Sequence, residues 1–127
     1  MQPEFLELTE VLYIHADQID RYGGDPSLRD AGLLESALAM PRATFGGEFL
    51  HRDFFEMAAA YLFHIVQNHP FVDGNKRTGT ATALVFLEMN GVAIDADEDE
   101  LVALVLDVAQ SRADKPRVAE FFRVNSE

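Results

Sequence analysis

His69-Pro70-Phe71-Val72-Asp73-Gly74-Asn75-Lys76-Arg77 joins two long apolar helical patterns. Upstream, Asp53 and Glu56 stand at capping-box spacing, and Met57, Tyr61 and Phe63-His64-Ile65 carry a helix to about Asn68. Downstream, a helix starting at Asn75 runs through Ala81, Ala83, Leu84, Phe86 and Leu87 to Asn90-Gly91, where glycine permits the left-handed turn that closes it. Beyond Thr82 this second pattern is apolar on nearly every side, which predicts a place at the centre of a bundle.

The same period recurs further out in both directions. Leu8, Leu12, His15 and Ile19 predict a helix over about residues 8 to 22, closed by Gly23-Gly24. Asp30 caps a second helix carrying Leu33, Leu34, Ala37 and Leu38, which must stop before Pro41 because proline disfavours helical geometry in the preceding residue. Residues 42 to 52 form a connector. The acidic stretch Asp95 to Glu100 precedes a helix with Leu101, Val102, Leu104, Val105 and Val108, and a last short helix with Val118, Phe121 and Phe122 follows Asp114. The predicted fold is all-α, a compact bundle of about six helices formed by one domain over residues 1–127.

Composition narrows the function. The chain has no cysteine, which excludes disulfide frameworks, thiolate zinc sites and cysteine nucleophiles and is compatible with a reducing compartment. Met1-Gln2-Pro3-Glu4 lacks the features of a secretory signal, and no apolar stretch approaches the roughly 20 residues that span a bilayer. A cytoplasmic protein without a membrane partner is expected. A formal net charge of -12 opposes the attraction that drives most nucleic-acid binding and suits a basic or mixed-charge protein partner instead.

The loop from His69 to Arg77 gathers a histidine, an acid, a glycine, an amide and two cations, each with a use in phosphate chemistry. Gly74 and the first peptide groups of the helix that follows can present unpaired N–H groups to an anion, where the helix dipole adds favourable potential. Lys76 and Arg77 add localised positive charge. Asp73 suits Mg²⁺, which binds through one or two carboxylates together with substrate phosphates. His69 suits removal of a proton from an attacking hydroxyl, because its unperturbed pKa lies near neutrality. Taken alone, Asp73-Gly74-Asn75 would be a turn and a helix start; the nine residues together point to chemistry. Elsewhere, His15 on an apolar helix face is expected to be buried and hydrogen-bonded to backbone. His51 and His64 have no carboxylate at metal-ligand spacing, so zinc is not expected.

The nine-residue string resembles the signature of the Fic/Doc superfamily, and specifically its death-on-curing (Doc) branch of toxin–antitoxin modules. Ile14-His15-Ala16-Asp17 leading to Tyr22-Gly23-Gly24, and Leu28-Arg29-Asp30-Ala31-Gly32-Leu33-Leu34-Glu35-Ser36-Ala37-Leu38 ending at Pro41, resemble that branch as well. The resemblance implies His69 as general base, Asp73 as the Mg²⁺-associated acid, Gly74, Asn75, Lys76 and Arg77 as the phosphate-binding group, and Phe71 as the anchor of the motif in the core. Residues 44 to 50, including Thr44, Phe45, Gly46, Gly47 and Glu48, occupy the region of the family's flap, between the second and third helices, which positions the target protein by strand-like pairing. On physical grounds alone a plain hairpin or a loose loop fits those residues as well.

Adenylyltransferases of the Fic branch have a glycine where this chain has Lys76, and a second arginine where it has Thr80. The Doc branch shares the lysine, and the resemblance implies its reversed nucleotide orientation: transfer of a phosphoryl group from ATP, with Mg²⁺, to a hydroxyl of a target protein, with a translation elongation factor as the expected target. Adenylyl transfer, or a non-catalytic helical binding module that keeps the motif as scaffold, are the alternatives. No copy of the Fic self-inhibiting helix is found, which implies inhibition in trans by an antitoxin with a disordered C-terminal segment that folds on the first helices.

Overall fold

The computed structural model describes residues 2–127. Six helices follow one another: α1 (Leu8–Tyr22), α2 (Ala31–Ala39), α3 (Phe54–Asn68), α4 (Asn75–Met89), α5 (Glu98–Ala109) and α6 (Lys115–Val124). After α2 the chain makes one 3-10 turn at Met40–Arg42. It then forms a two-stranded antiparallel hairpin, β1 (Thr44–Phe45) and β2 (Glu48–Phe49), with Thr44 opposite Phe49 and Phe45 opposite Glu48 across the Gly46-Gly47 turn. The flap region is therefore a hairpin, and Phe45 stands 84% exposed on it.

Helix boundaries follow from side chains that satisfy otherwise unpaired N–H groups. Asp30, Asp53, Asp97 and Asp114 cap α2, α3, α5 and α6 by accepting from the N–H of Leu33, Glu56, Glu100 and Arg117 at 2.8–3.0 Å. At α1 the Glu10 carboxylate accepts from the N–H of Glu7 at 2.8 Å. Glu56 reaches back to the N–H of Arg52 at 3.2 Å, one residue before the position a capping box requires.

The centre of the bundle is α3, not α4 as the apolar pattern predicts. Met57 to Leu62 and Ile65 are fully enclosed, and α3 packs on α2, α4, α5 and α6. On α4, Thr78, Gly79, Thr82, Ala83, Phe86 and Leu87 are buried against α1 and α3, while Ala81, Leu84 and Val85 are only half-buried. Ala81 and Leu84 border an open groove, so the apolar face of α4 is shared between the core and that groove. Gly79 lets the two helices approach closely: a Cβ there would lie 3.0 Å from the Val66 side chain and 3.3 Å from the Leu62 carbonyl oxygen.

Away from the loop, Lys115 at the start of α6 donates to Nε2 of His64 at 3.1 Å and to Nε2 of His51 at 3.3 Å. Burial, then the Lys115 charge and His51, push the His64 imidazole down to about 4. The unfolded chain takes up this proton near pH 6.5 and the folded chain only near pH 4, so the stability present above pH 6.5 is lost as pH falls through that interval. Between pH 7 and pH 5 the loss from this half-buried ring is on the order of 1 kcal/mol. Urea unfolding of the wild type and of His64→Gln should show it: the variant has the flatter dependence, and identical slopes would rule His64 out as the source.

Candidate active site

The loop between α3 and α4 is braced from two sides. Asn75, 4% exposed, accepts from the N–H of Phe71 at 3.0 Å through Oδ1 and donates to the Phe71 carbonyl at 2.9 Å through Nδ2. Its side chain is thus committed to the loop, and its main-chain N–H is the group left for a ligand. Phe71 is fully buried and lies flat against His15, with ring centroids 3.7 Å apart and planes at 6°. His15, 3% exposed, donates from Nε2 to the Asp73 carbonyl at 2.8 Å, which fixes its tautomer. This is the backbone-bonded histidine expected from the pattern of α1.

The second brace is the chain between α1 and α2. Leu28 and Phe71 form an antiparallel bridge, the N–H groups of Arg29 and Asp30 both donate to the Pro70 carbonyl, and Val72 donates to the Ser27 carbonyl. The N–H of Asp25 donates to Oδ2 of Asp73 at 2.8 Å and so orients that carboxylate. Among the described residues no three acidic or histidine side chains gather as a metal cage. Asp73 is a single exposed carboxylate with one oxygen held, which fits the way Mg²⁺ is retained jointly by protein and substrate phosphates.

Downstream of this brace the N-terminus of α4 is open. Its cap residue, Gly74, has no side chain to donate or accept, and the N–H groups of Asn75, Lys76 and Arg77 find no acceptor among the described residues. The other five helices begin with an acidic residue at the cap. Gly74 has φ +83, a conformation that favours glycine, and a Cβ there would lie 3.2 Å from the end of the Ile19 side chain, a tight fit that Ile19 would have to yield to.

Gly74, Asn75, Lys76 and Arg77 line one end of a groove of about 720 Å³, whose walls come from Gln18 and Tyr22 of α1, Thr80, Ala81 and Leu84 of α4, and the face of α5 from Leu101 to Leu106. Lys76 is exposed and makes no ion pair among the described residues. The Arg77 guanidinium lies over the Tyr22 ring at 4.5 Å from its centroid. The Thr80 hydroxyl donates to the Lys76 carbonyl at 2.8 Å and carries no positive charge into the groove.

His69 and Asp73 stand beside this groove and not in its lining. His69 closes α3 with φ 52 and ψ 54, a left-handed conformation that costs a side chain bearing Cβ roughly 1–2 kcal/mol. Its ring is exposed. The structure thus brings Gly74, Asn75, Lys76 and Arg77, the residues expected to bind phosphate, together at one helix end, with His69 and Asp73 on the same short loop. The hairpin residues Thr44, Phe45, Gly46, Gly47 and Glu48 belong to the α2–α3 connection and share no lining with the groove. Sequence reasoning did not single out Asp25, Arg29 or the apolar wall of α5. Arg29 lies in the segment from Leu28 to Leu38 that resembles the family, but its partners are main-chain atoms that leave no trace in residue pattern.

A profile of the Fic/DOC family matches residues 5–87. Toxin Doc of Mycolicibacterium smegmatis is 42% identical over 100 residues, covering 77% of each chain. Protein kinase doc of Escherichia phage P1 is 36% identical over 114 residues, covering 90% of this chain and 89% of its own.

The brace can be tested apart from any activity. Asn75→Ala strands the N–H and C=O of Phe71 in a buried site, at a cost of roughly 2–4 kcal/mol. Urea unfolding should show that loss; a change below about 0.5 kcal/mol, the scale of ordinary surface substitutions, would mean that the loop does not depend on this amide.

Proposed function

The chain belongs to the Fic/DOC family, and from that premise we propose that it is a Doc-like toxin that transfers the γ-phosphoryl group of ATP to a hydroxyl of a target protein in the cytoplasm. The observation that carries the proposal is the uncapped N-terminus of α4, flanked by Lys76 and Arg77, on the same short loop as an exposed histidine. Three free N–H groups and two cations offer a seat for phosphate oxygens, and α4 directs its dipole at the same point. Mg²⁺, held by Asp73 and the phosphates, would supply charge neutralisation.

In this mechanism His69 takes the proton of the attacking hydroxyl, whose oxygen bonds to the γ-phosphorus while the bond to the ADP oxygen breaks. Such a reaction asks the protein mainly for positioning and charge. Lys76 narrows the seat and makes it more positive where glycine would leave space. Thr80, its hydroxyl turned back to the helix, supplies no second guanidinium. Both features support phosphoryl over adenylyl transfer. The hairpin with its exposed Phe45 is the proposed docking edge for the target, an elongation factor by analogy with the family, and the exposed Leu8 and Tyr13 of α1, on the first helices, are available to an antitoxin whose tail folds on binding.

His69→Ala should lower the transfer rate by about 10²–10⁴-fold without a loss of folded protein, and expression of the variant should no longer arrest growth. An equally toxic variant removes His69 from the chemistry. The two transfer reactions separate with ATP labelled at the α- or the γ-phosphate: γ-label should reach the target with the wild type, and Lys76→Gly should lose it. Arrival of α-label from the wild type would reverse the assignment.

A further inference from the structure

General bases are ordinarily oriented by a third group bonded to the ring. The His69 ring has no such group: among the described residues no side chain hydrogen-bonds to it, and it is exposed. Its direction must therefore be set through its main chain, which adopts a left-handed conformation unfavourable to a residue with Cβ.

The His69 N–H donates to the Ile65 carbonyl at 3.1 Å, and one side chain acts on the carbonyl side of that main chain. Arg29 takes three successive carbonyl oxygens at the exit of α3: Nη2 donates to Asn68 at 3.0 Å, Nε donates to His69 at 2.7 Å, and its own N–H donates to Pro70 at 2.7 Å. Carbonyls at a helix C-terminus lack intrahelical partners and carry the negative end of the dipole, so a guanidinium is favoured there twice over. The parallel Nε–H and Nη2–H groups match two adjacent carbonyls in a way that a lysine ammonium cannot reproduce. Asn68 is also fixed from the α2 side, its Nδ2 donating to the Leu33 carbonyl at 2.9 Å. Arg29 does not line the groove, so its cation is directed at the protein and not at the phosphate seat.

We propose that Arg29 is a positioning residue that holds His69 in its left-handed conformation and so aims the imidazole at the acceptor hydroxyl. The proposal rests on His69 being the base. Arg29→Ala keeps the Asn75 and His15 braces, the backbone bonds to Pro70 and the His69 N–H bond to Ile65, but the Asn68 and His69 carbonyls lose the guanidinium that fixes the peptides at the exit of α3.

Two measurements on Arg29→Ala and Arg29→Lys test this. Label transfer from γ-labelled ATP to the proteins of a bacterial extract, followed against ATP concentration, should show a saturating rate lowered by about 10–100-fold in Arg29→Ala with KM for ATP changed less than about twofold, and Arg29→Lys should be intermediate. An unchanged saturating rate, or a raised KM with that rate intact, overturns the proposal. The second measurement needs no activity: ¹H–¹⁵N spectra of the imidazoles should show His69 averaged or broadened in both variants while His15 keeps its wild-type signals. A His69 ring as ordered as in the wild type overturns the positioning role. Full activity of His69→Ala would instead remove the base assignment, leaving the spectra to decide what Arg29 holds.

Discussion

The buried amide of Asn75, bonded to both main-chain groups of Phe71, is the constraint on which the arrangement of this protein depends. Two long helices that meet through a short loop force peptide groups into the core, and such groups are costly unless paired. One side chain at the start of α4 pairs both polar groups of Phe71 and lets its ring enter the core against His15. With the loop fixed at that point, Asp73 faces the chain between α1 and α2, Gly74 turns left-handed, and α4 begins with nothing over its end. A conventional acidic cap at position 74 would satisfy the helix locally and close the seat to an anion.

Charge follows the same logic. The formal net charge of -12 includes four aspartates that cap helices, each located where a dipole favours it. Among the described residues the one α-helix whose cap residue is not acidic is the one beside Lys76 and Arg77. The average sign of the chain therefore says little about the field at the groove, where the two cations and the open helix end act together.

Much of the fold was legible because its signals are local. The Asp30, Asp53 and Asp114 caps, the Gly23 and Gly91 stops and the 3.6-residue period each depend on a few neighbouring residues. The burial of His15 was readable from its place on an apolar face, although its bond to Asp73, 58 residues away, was not. The centre of the bundle was misplaced for a related reason: Ala81 and Leu84 look like core in composition, and only tertiary packing shows that they border a groove. At the site, Gly74, Asn75, Lys76 and Arg77 were picked out by their chemistry, and the structure places them together at one helix end. Arg29 and Asp25 escaped because they work on or through main-chain atoms, and the α5 wall escaped because an exposed apolar stripe has the same sequence as a buried one.

The braces of the loop divide its residues into two sets. Phe71, Asn75 and His15 are buried, with Asn75 bonded to Phe71 and His15 stacked on Phe71 and bonded to the Asp73 carbonyl, and the chain from Ser27 to Asp30 reaches the loop through backbone groups and the Arg29 side chain. Lys76 and Arg77 are exposed and contribute no hydrogen bond to the frame, and Thr80 is tied only to its own helix. Substitutions at such positions ordinarily shift stability by no more than about 0.5 kcal/mol. On the proposed function the frame and the chemistry can therefore diverge independently: a lineage could exchange one phosphorus for another as the site of attack by drifting at two or three surface positions, without passing through an unfolded intermediate sequence.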